Sequence, residues 1–102
     1  MRIEVTANDD AASPRIRAYA EYRLFTTLAR HVGVVRRVWV ILGSSDLQAG
    51  GPFTCEVDVS LLASGSARVL AHGSHMHAAI DSAAKRIGDV IDRLESSNGD
   101  SV

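Results

Sequence analysis

Three histidines lie close together near the end of the chain and are the first candidates for chemistry. They are His72, His75 and His77, and their His-x-x-His-x-His pattern resembles the ligand spacing of a metal site. The cluster straddles a predicted junction between a strand and a helix, and no cysteine or nearby carboxylate supports it before Asp81. Because three ligands must converge on one ion, the spacing favours exposed histidines, with a histidine metal site as the alternative.

No other pattern in the chain indicates catalysis. A nucleophile elbow, a phosphate-binding glycine loop and a pair of catalytic carboxylates are all missing from the sequence. Ser44, Ser45 and Asp46 fall in a turn-rich stretch, and the one cysteine, Cys55, alternates with apolar residues as a core residue does. We therefore expect no enzyme activity, no cofactor and no small-molecule substrate.

Basic side chains form the second group of candidates. All eleven cations except Lys85 are arginines, yet the formal net charge of −1 excludes a globally basic surface. Arg23 and Arg30 are seven residues apart in one predicted helix, and Arg86 and Arg93 are seven apart in another, so each pair shares a helix face. Two parallel helices with such pairs would form a basic groove for an RNA backbone; an ordinary solvated surface is the alternative.

Hydrophobic periodicity predicts the elements that must position these residues. The predicted strands cover residues 2–7, 34–43, 52–62 and 67–72, and the predicted helices run from Pro14 to about His31 and from just after Ser74 to Leu94. The first two strands should pair in parallel through a right-handed crossover, and the last three should form an antiparallel meander. Both helices would then cover one face of a four-stranded mixed sheet, which is a two-layer α+β sandwich with the order β-α-β-β-β-α.

The first predicted helix carries two apolar stripes. One consists of Ile16, Tyr19, Ala20 and Leu24, and the other consists of Tyr22, Phe25, Ala29 and Val32. Two stripes predict a helix that contacts both the sheet and a neighbouring helix. At the start of the second helix, Ser74 is the residue expected to cap the free backbone amides.

Trp39 and Arg37 are predicted to point outward from the open face of the sheet. A cross-strand packing role accounts for this tryptophan, and an interaction patch that supports weak self-association is the competing interpretation.

The chain length predicts one domain, over residues 1–95, followed by a polar, disordered tail over residues 96–102. No apolar run approaches the roughly 18 residues that span a bilayer, and the start of the chain lacks the apolar core of a signal peptide. We therefore expect a cytoplasmic protein with no membrane partner.

Several motifs resemble the ribosome hibernation-promoting factor family, also called ribosome-associated inhibitor or sigma-factor modulation protein. The first strand resembles the family's Ile-x-Val-Thr, Val38-Trp39-Val40 is similar to its Val-aromatic-Val, and Arg17, Tyr19 and Arg23 match its first helix. The most specific match is Gly73 to Asp81, which is similar to the family's Gly-x-Asp-Met-Tyr-Ala-Ala-Ile-Asp. The chain resembles the short form, without the C-terminal dimerisation domain of long-form members.

This resemblance implies a fold related to double-stranded-RNA-binding domains and a non-enzymatic function. Members bind the small ribosomal subunit in the channel that mRNA and tRNA occupy, through contacts to ribosomal RNA phosphates, and silence idle ribosomes. By position, Arg23, Arg86 and Arg93 would contact RNA, with Lys85 and Arg30 as weaker candidates. The alternative function is a diverged protein-interaction module that kept the fold, lost the ribosome and self-associates through the Trp39 face.

The chain departs from the family pattern at three positions. His75 and His77 stand where the family has Asp and Tyr, and Asp89 stands where a member often has a basic residue.

Overall fold

A computed structural model describes residues 1–8, 12–44, 51–63 and 65–100, with only the backbone described for residues 97–100. Its elements are β1 (Arg2–Ala7), α1 (Pro14–Leu28), a 3-10 turn (Ala29–His31), β2 (Val35–Ser44), β3 (Phe53–Leu61), β4 (Ser66–Gly73) and α2 (Met76–Asp100). This order confirms the predicted β-α-β-β-β-α arrangement, and each strand boundary falls within one residue of the prediction. Ser45 and Asp46 lie outside the described residues.

The four strands form one mixed sheet in the order β1-β2-β3-β4. β1 pairs with β2 in parallel, with Ile3 opposite Val38, and β2, β3 and β4 form an antiparallel meander. The parallel pair is joined through α1, as a crossover connection requires. Both predicted pairings are therefore confirmed, and both helices pack on the same face of the sheet.

Alternating residues of each strand build the core beneath the helices. The buried strand residues include Val38, Val40 and Leu42 of β2, Cys55, Val57 and Val59 of β3, and Ala67, Val69 and Ala71 of β4. They pack against Ala20, Leu24 and Leu28 of α1 and Ala79, Ile80, Ala83, Ala84, Ile87 and Ile91 of α2. Burial raises the pKa of the Cys55 thiol to about 12, which keeps it protonated and unreactive near neutral pH. Cys55 is a core residue, as its alternation predicted.

α1 begins as predicted and ends differently. The Ser13 hydroxyl accepts a hydrogen bond from the Ile16 amide (3.3 Å), and Pro14 occupies the first turn. The α-helix ends at Leu28, and the chain continues through the 3-10 turn rather than as regular helix to His31.

α1 contacts both the sheet and α2, as predicted, but its second apolar stripe does not make the contact with α2. Tyr22 is 66% exposed, Phe25 is 55% exposed and Val32 is 55% exposed. The reason is that α2 contacts the opposite flank of α1, through Tyr19 and Arg23. The stripe therefore faces away from α2.

α2 departs from the prediction at both ends. The cap is His75 rather than Ser74: its Nδ1 accepts a hydrogen bond from the Ala78 amide (3.3 Å), because His75 directly precedes the first helical residue. At the other end the helix continues to Asp100, past Ser96, where we expected the tail to begin. Each added residue gains a helical hydrogen bond, and no proline interrupts this stretch. Within the described residues, no helix is long and apolar enough to cross a membrane.

Candidate nucleic-acid interface

α1 and α2 run parallel to each other, and a groove lies between them on the surface away from the sheet. Tyr19 contacts Asp81 early in both helices, and Arg30 contacts Asp92 near their ends, which establishes the parallel direction. We call this surface the helix groove. It is lined by Arg23, Thr27, Arg30, Asp81, Ser82, Lys85, Gly88 and Asp89.

Gly88 allows the two helices to approach closely at the floor of the groove. A Cβ atom at this position would lie 2.9 Å from the Thr27 Cγ2 atom, which is closer than such atoms normally come. The sequence patterns did not point to Gly88 or Thr27. A glycine in the middle of a strong helical pattern was the available signal, because it costs helix stability unless packing requires it.

Asp81 organises the upper part of the helix groove. Its Oδ1 atom accepts a hydrogen bond from the Tyr19 hydroxyl (2.5 Å) and another from Arg23 Nε (3.2 Å). Arg23 Nη1 also donates to the Thr27 hydroxyl (3.1 Å). The bond to Asp81, with a smaller contribution from burial, raises the pKa of Tyr19 above its usual value. The Arg23 guanidinium is therefore held in one place by two acceptors.

A second polar cluster ties the ends of the helices together. Arg30 Nη2 contacts Asp92 Oδ2 (2.5 Å). The other carboxylate oxygen of Asp92, Oδ1, lies 2.8 Å from Nε2 of His31. The His31 residue is only 4% exposed. His31 Nδ1 lies 2.9 Å from Glu95 Oε1, although the alignment does not make a hydrogen bond. Asp92 and Glu95, three residues apart on α2, thus lie beside the basic side chains of the 3-10 turn.

Every cation that lines the helix groove has a carboxylate beside it. Arg23 pairs with Asp81, Arg30 pairs with Asp92, and Lys85 Nζ lies 3.7 Å from Asp89 Oδ2. These pairs are partly or largely exposed, and exposed pairs are individually weak, so a stronger anion can replace the carboxylate. The groove holds cations in position without presenting a strong positive field.

The spacing suggested a groove built from two arginine pairs. In the structure, Arg86 and Arg93 do not line the helix groove. Arg86 Nη1 donates to the Leu70 carbonyl oxygen (2.5 Å), so this side chain lies over β4, at the edge of the sheet. Arg93 is exposed, and its spacing of seven residues puts it on the same face of α2 as Arg86. The structure thus brings together Arg23, Arg30 and Lys85 and places the other two arginines on the adjoining surface.

The three clustered histidines have separate surroundings. His72 is opposite Thr54 in the β3–β4 ladder, His75 caps α2, and the His77 ring lies 4.6 Å from the Tyr19 ring. No group of three or more residues suited to hold a metal ion occurs in the part of the chain that the structure describes.

Trp39 and Arg37 lie on the sheet face opposite the helices, as predicted. Together with Asp58 and Ser60 they line a shallow depression, and Trp39 is 43% exposed. Asp58 is directly opposite Trp39 and forms an ion pair with Arg68 (3.0 Å). Arginine and carboxylate side chains thus surround the tryptophan.

This architecture, with two parallel helices on one face of a four-stranded mixed sheet, defines a class of small α+β sandwiches. Residues 3–97 match the model of the Sigma 54 modulation protein / S30EA ribosomal protein family. The chain therefore belongs to this family of ribosome-associated proteins, which regulate translation and are not an enzyme family. The resemblance inferred from the sequence motifs is confirmed.

Solved structures show the same fold. The N-terminal domain of Protein Y from Thermus thermophilus is 22% identical with a TM-score of 0.71, and the match covers 91% of this chain and 94% of that one. A ribosomal subunit interface protein from Coxiella burnetii is 18% identical with a TM-score of 0.70, and the match covers 94% and 99% of the two chains. No curated protein matched the sequence.

Proposed function

We propose that the protein silences translation by binding the small ribosomal subunit in the channel that mRNA and tRNA occupy. The observation that carries this proposal is the placement of Arg23, Arg30 and Lys85 in one groove between parallel helices. Family membership supplies the ribosome as the partner. The helix groove supplies cations at fixed positions, which suits an RNA backbone better than a base sequence.

Binding proceeds by exchange of anions. A phosphate oxygen replaces a carboxylate oxygen at Lys85 or Arg30, and the released counterions of the RNA contribute to the free energy of binding. Arg23 stays attached to Asp81 and Thr27, and its remaining donor atoms face the RNA. Arg86 and Arg93 extend the contact across the exposed face of α2. Such a mechanism requires no cofactor and no small-molecule substrate, and it places the protein with ribosomes in the cytoplasm.

Co-sedimentation with purified small subunits and whole ribosomes, across a salt series, tests this function. We expect binding that weakens steeply as salt rises, because phosphate contacts release counterions. Prior occupation of the channel with mRNA and tRNA should block binding, and the protein should inhibit translation in a purified system. An affinity that does not change with salt concentration, or binding while tRNA and mRNA are in the channel, would contradict the proposed site.

A further inference from the structure

The exposed face of α1 carries a regular apolar seam. Its residues are Ala18, Tyr22, Phe25, Ala29 and Val32, and all five are exposed. Ala18, Tyr22 and Phe25 lie on α1 with the four- and three-residue spacing of the a and d positions in a heptad repeat, whereas Ala29 lies in the 3-10 turn and Val32 directly follows it. This spacing is typical of a helix that packs against another helix. We call this surface, with Met1 and Ile3 beside it, the α1 flank.

The α1 flank adjoins the free edge of the sheet. Met1 and Ile3 line one shallow groove together with Ala18, Glu21, Tyr22 and Phe25. β1 is the terminal strand, and no other strand in the described part of the chain pairs with its outer side. At the opposite edge of the sheet, Arg86 donates a hydrogen bond to the Leu70 carbonyl oxygen of β4, so that edge is partly covered. An unpaired edge beside exposed aromatic rings is a site where another strand and helix can add.

We propose that the α1 flank binds a second copy of this chain, in a symmetric dimer with β1 antiparallel to its counterpart. Pairing about Ile3 would set Arg2 of each copy opposite Glu4 of the other, which gives two opposite-charge pairs. In the single chain these two side chains already pair with each other (3.1 Å), so both lie on the same outer sheet face. The edge is thus complementary to itself, as a two-fold interface requires.

The layer spacings of the fold support the same arrangement. Neighbouring strands lie about 4.8 Å apart and packed helices about 8–10 Å apart, so one helix covers two strands. Pairing β1 with its counterpart brings a second α1 into the next place in the helix layer, against the apolar seam. Ile3 lies in the same groove as Tyr22 and Phe25. One two-fold axis therefore passes near both the contact between the two β1 strands and the contact between the two α1 helices. The apolar seam lies on the helix side of the sheet and is separate from the helix groove, whereas Arg2 and Glu4 lie on the outer sheet face, where Glu4 is the register partner of Trp39.

Sedimentation velocity on the full chain, from roughly 5 to 500 µM, tests the dimer. We expect the wild type to shift from monomer to dimer across this range. The double variant Tyr22→Gln/Phe25→Gln should remain monomeric. The matched control Leu62→Gln/Leu70→Gln also replaces two exposed apolar residues, one just after β3 and one on β4, away from β1, and should dimerise as the wild type does. Thermal melts of both variants establish that each is folded.

A charge exchange tests the strand register. Arg2→Glu sets like charges opposite each other twice and should weaken the dimer roughly tenfold. The double variant Arg2→Glu/Glu4→Arg restores both pairs and should recover the dimer. A wild type that stays monomeric throughout, a dimer that survives loss of Tyr22 and Phe25, or a charge exchange that fails to recover it would each overturn the proposal.

Discussion

The helix groove and the α1 flank lie on two sides of the same helix and differ in what they present. Toward α2, α1 presents Tyr19 and Arg23 and the following 3-10 turn presents Arg30, and each makes a polar contact with an acidic residue. Away from α2 it presents Tyr22 and Phe25, which are more than half exposed. We propose that the first side exchanges ions with a charged polymer and that the second is covered by another protein chain.

The difference also explains why apolar periodicity alone misassigned the second apolar stripe of this helix. Both sides of α1 contain apolar residues at helical spacing, yet only Ala20, Leu24 and Leu28 reach the core. The contact between the helices also includes polar side chains and the close approach at Gly88. A polar helix contact leaves its charged groups near the surface, where a ligand can compete for them.

Substitutions in the core and in the α1 flank should differ most in their effect on the free energy of unfolding. Two adjacent residues allow the comparison. Leu24 is fully buried, and Leu24→Ala should lower the free energy of unfolding by about 2–5 kcal/mol. Phe25→Ala removes a larger but exposed side chain and should change it by less than about 0.5 kcal/mol. Urea unfolding of dilute protein measures both. Equal losses at the two positions would show that the α1 flank is covered within the monomer.

The close approach of the helices should appear as an energetic coupling between Gly88 and Thr27. Gly88→Ala improves helix propensity but brings its Cβ against the Thr27 methyl, and we expect a net loss of about 1 kcal/mol. In a Thr27→Ser background the methyl is gone while the hydroxyl remains for Arg23, so Gly88→Ala should become neutral or stabilising. A double-mutant cycle by urea unfolding measures this. The same effect in both backgrounds would contradict the proposed contact.

Removing a competing carboxylate should strengthen RNA binding at the helix groove. Asp89 lies beside Lys85. Asp89→Asn should tighten ribosome binding by roughly twofold to fivefold, because Lys85 no longer has to leave the Asp89 carboxylate before it contacts a phosphate. Asp58→Asn is the matched control, since Asp58 pairs with Arg68 on the far side of the sheet. Its affinity for ribosomes should equal that of the wild type. Weaker binding of Asp89→Asn would mean that Asp89 itself contacts the ribosome.

The smallest expected effect concerns the two tyrosines of α1. The bond to Asp81 raises the Tyr19 pKa, so that bond stabilises the fold below a pH of 10 and is lost as pH rises through the Tyr19 pKa. Asp81→Asn should lower the Tyr19 pKa toward its usual value. Carbon-13 NMR titration of the tyrosine rings follows Tyr19 and Tyr22 separately. An unchanged Tyr19 pKa in the variant would show that another group causes the shift.

Much of the fold followed from local patterns. Strict alternation around Val57 and the β-branched run at Val38 and Val40 predicted β2 and β3, and the first helix starts where Ser13 and Pro14 indicated. The parallel β1–β2 pair followed from the intervening helix. These features depend on neighbours in sequence, which the sequence displays directly.

The details of the site did not follow from local patterns, because they depend on contacts between distant residues. Spacing placed Arg86 and Arg93 on one helix face but could not show that this face is turned toward β4. Nothing in the sequence indicated that Asp81 would meet Tyr19 across the helix pair. Ser74 looked like the better cap by residue type, although His75 is in the capping position.

The salt dependence of ribosome binding, measured by co-sedimentation for two matched variants, tests the central claim most directly. Arg30→Gln/Lys85→Gln removes two charges from the helix groove, and Arg37→Gln/Arg68→Gln removes two from the opposite sheet face. We predict that the groove variant binds at least tenfold more weakly and that its slope of log affinity against log salt falls by roughly two. The sheet-face variant should match the wild type. Equal losses in both variants, or a loss only in the sheet-face variant, would contradict the groove as the RNA-binding site.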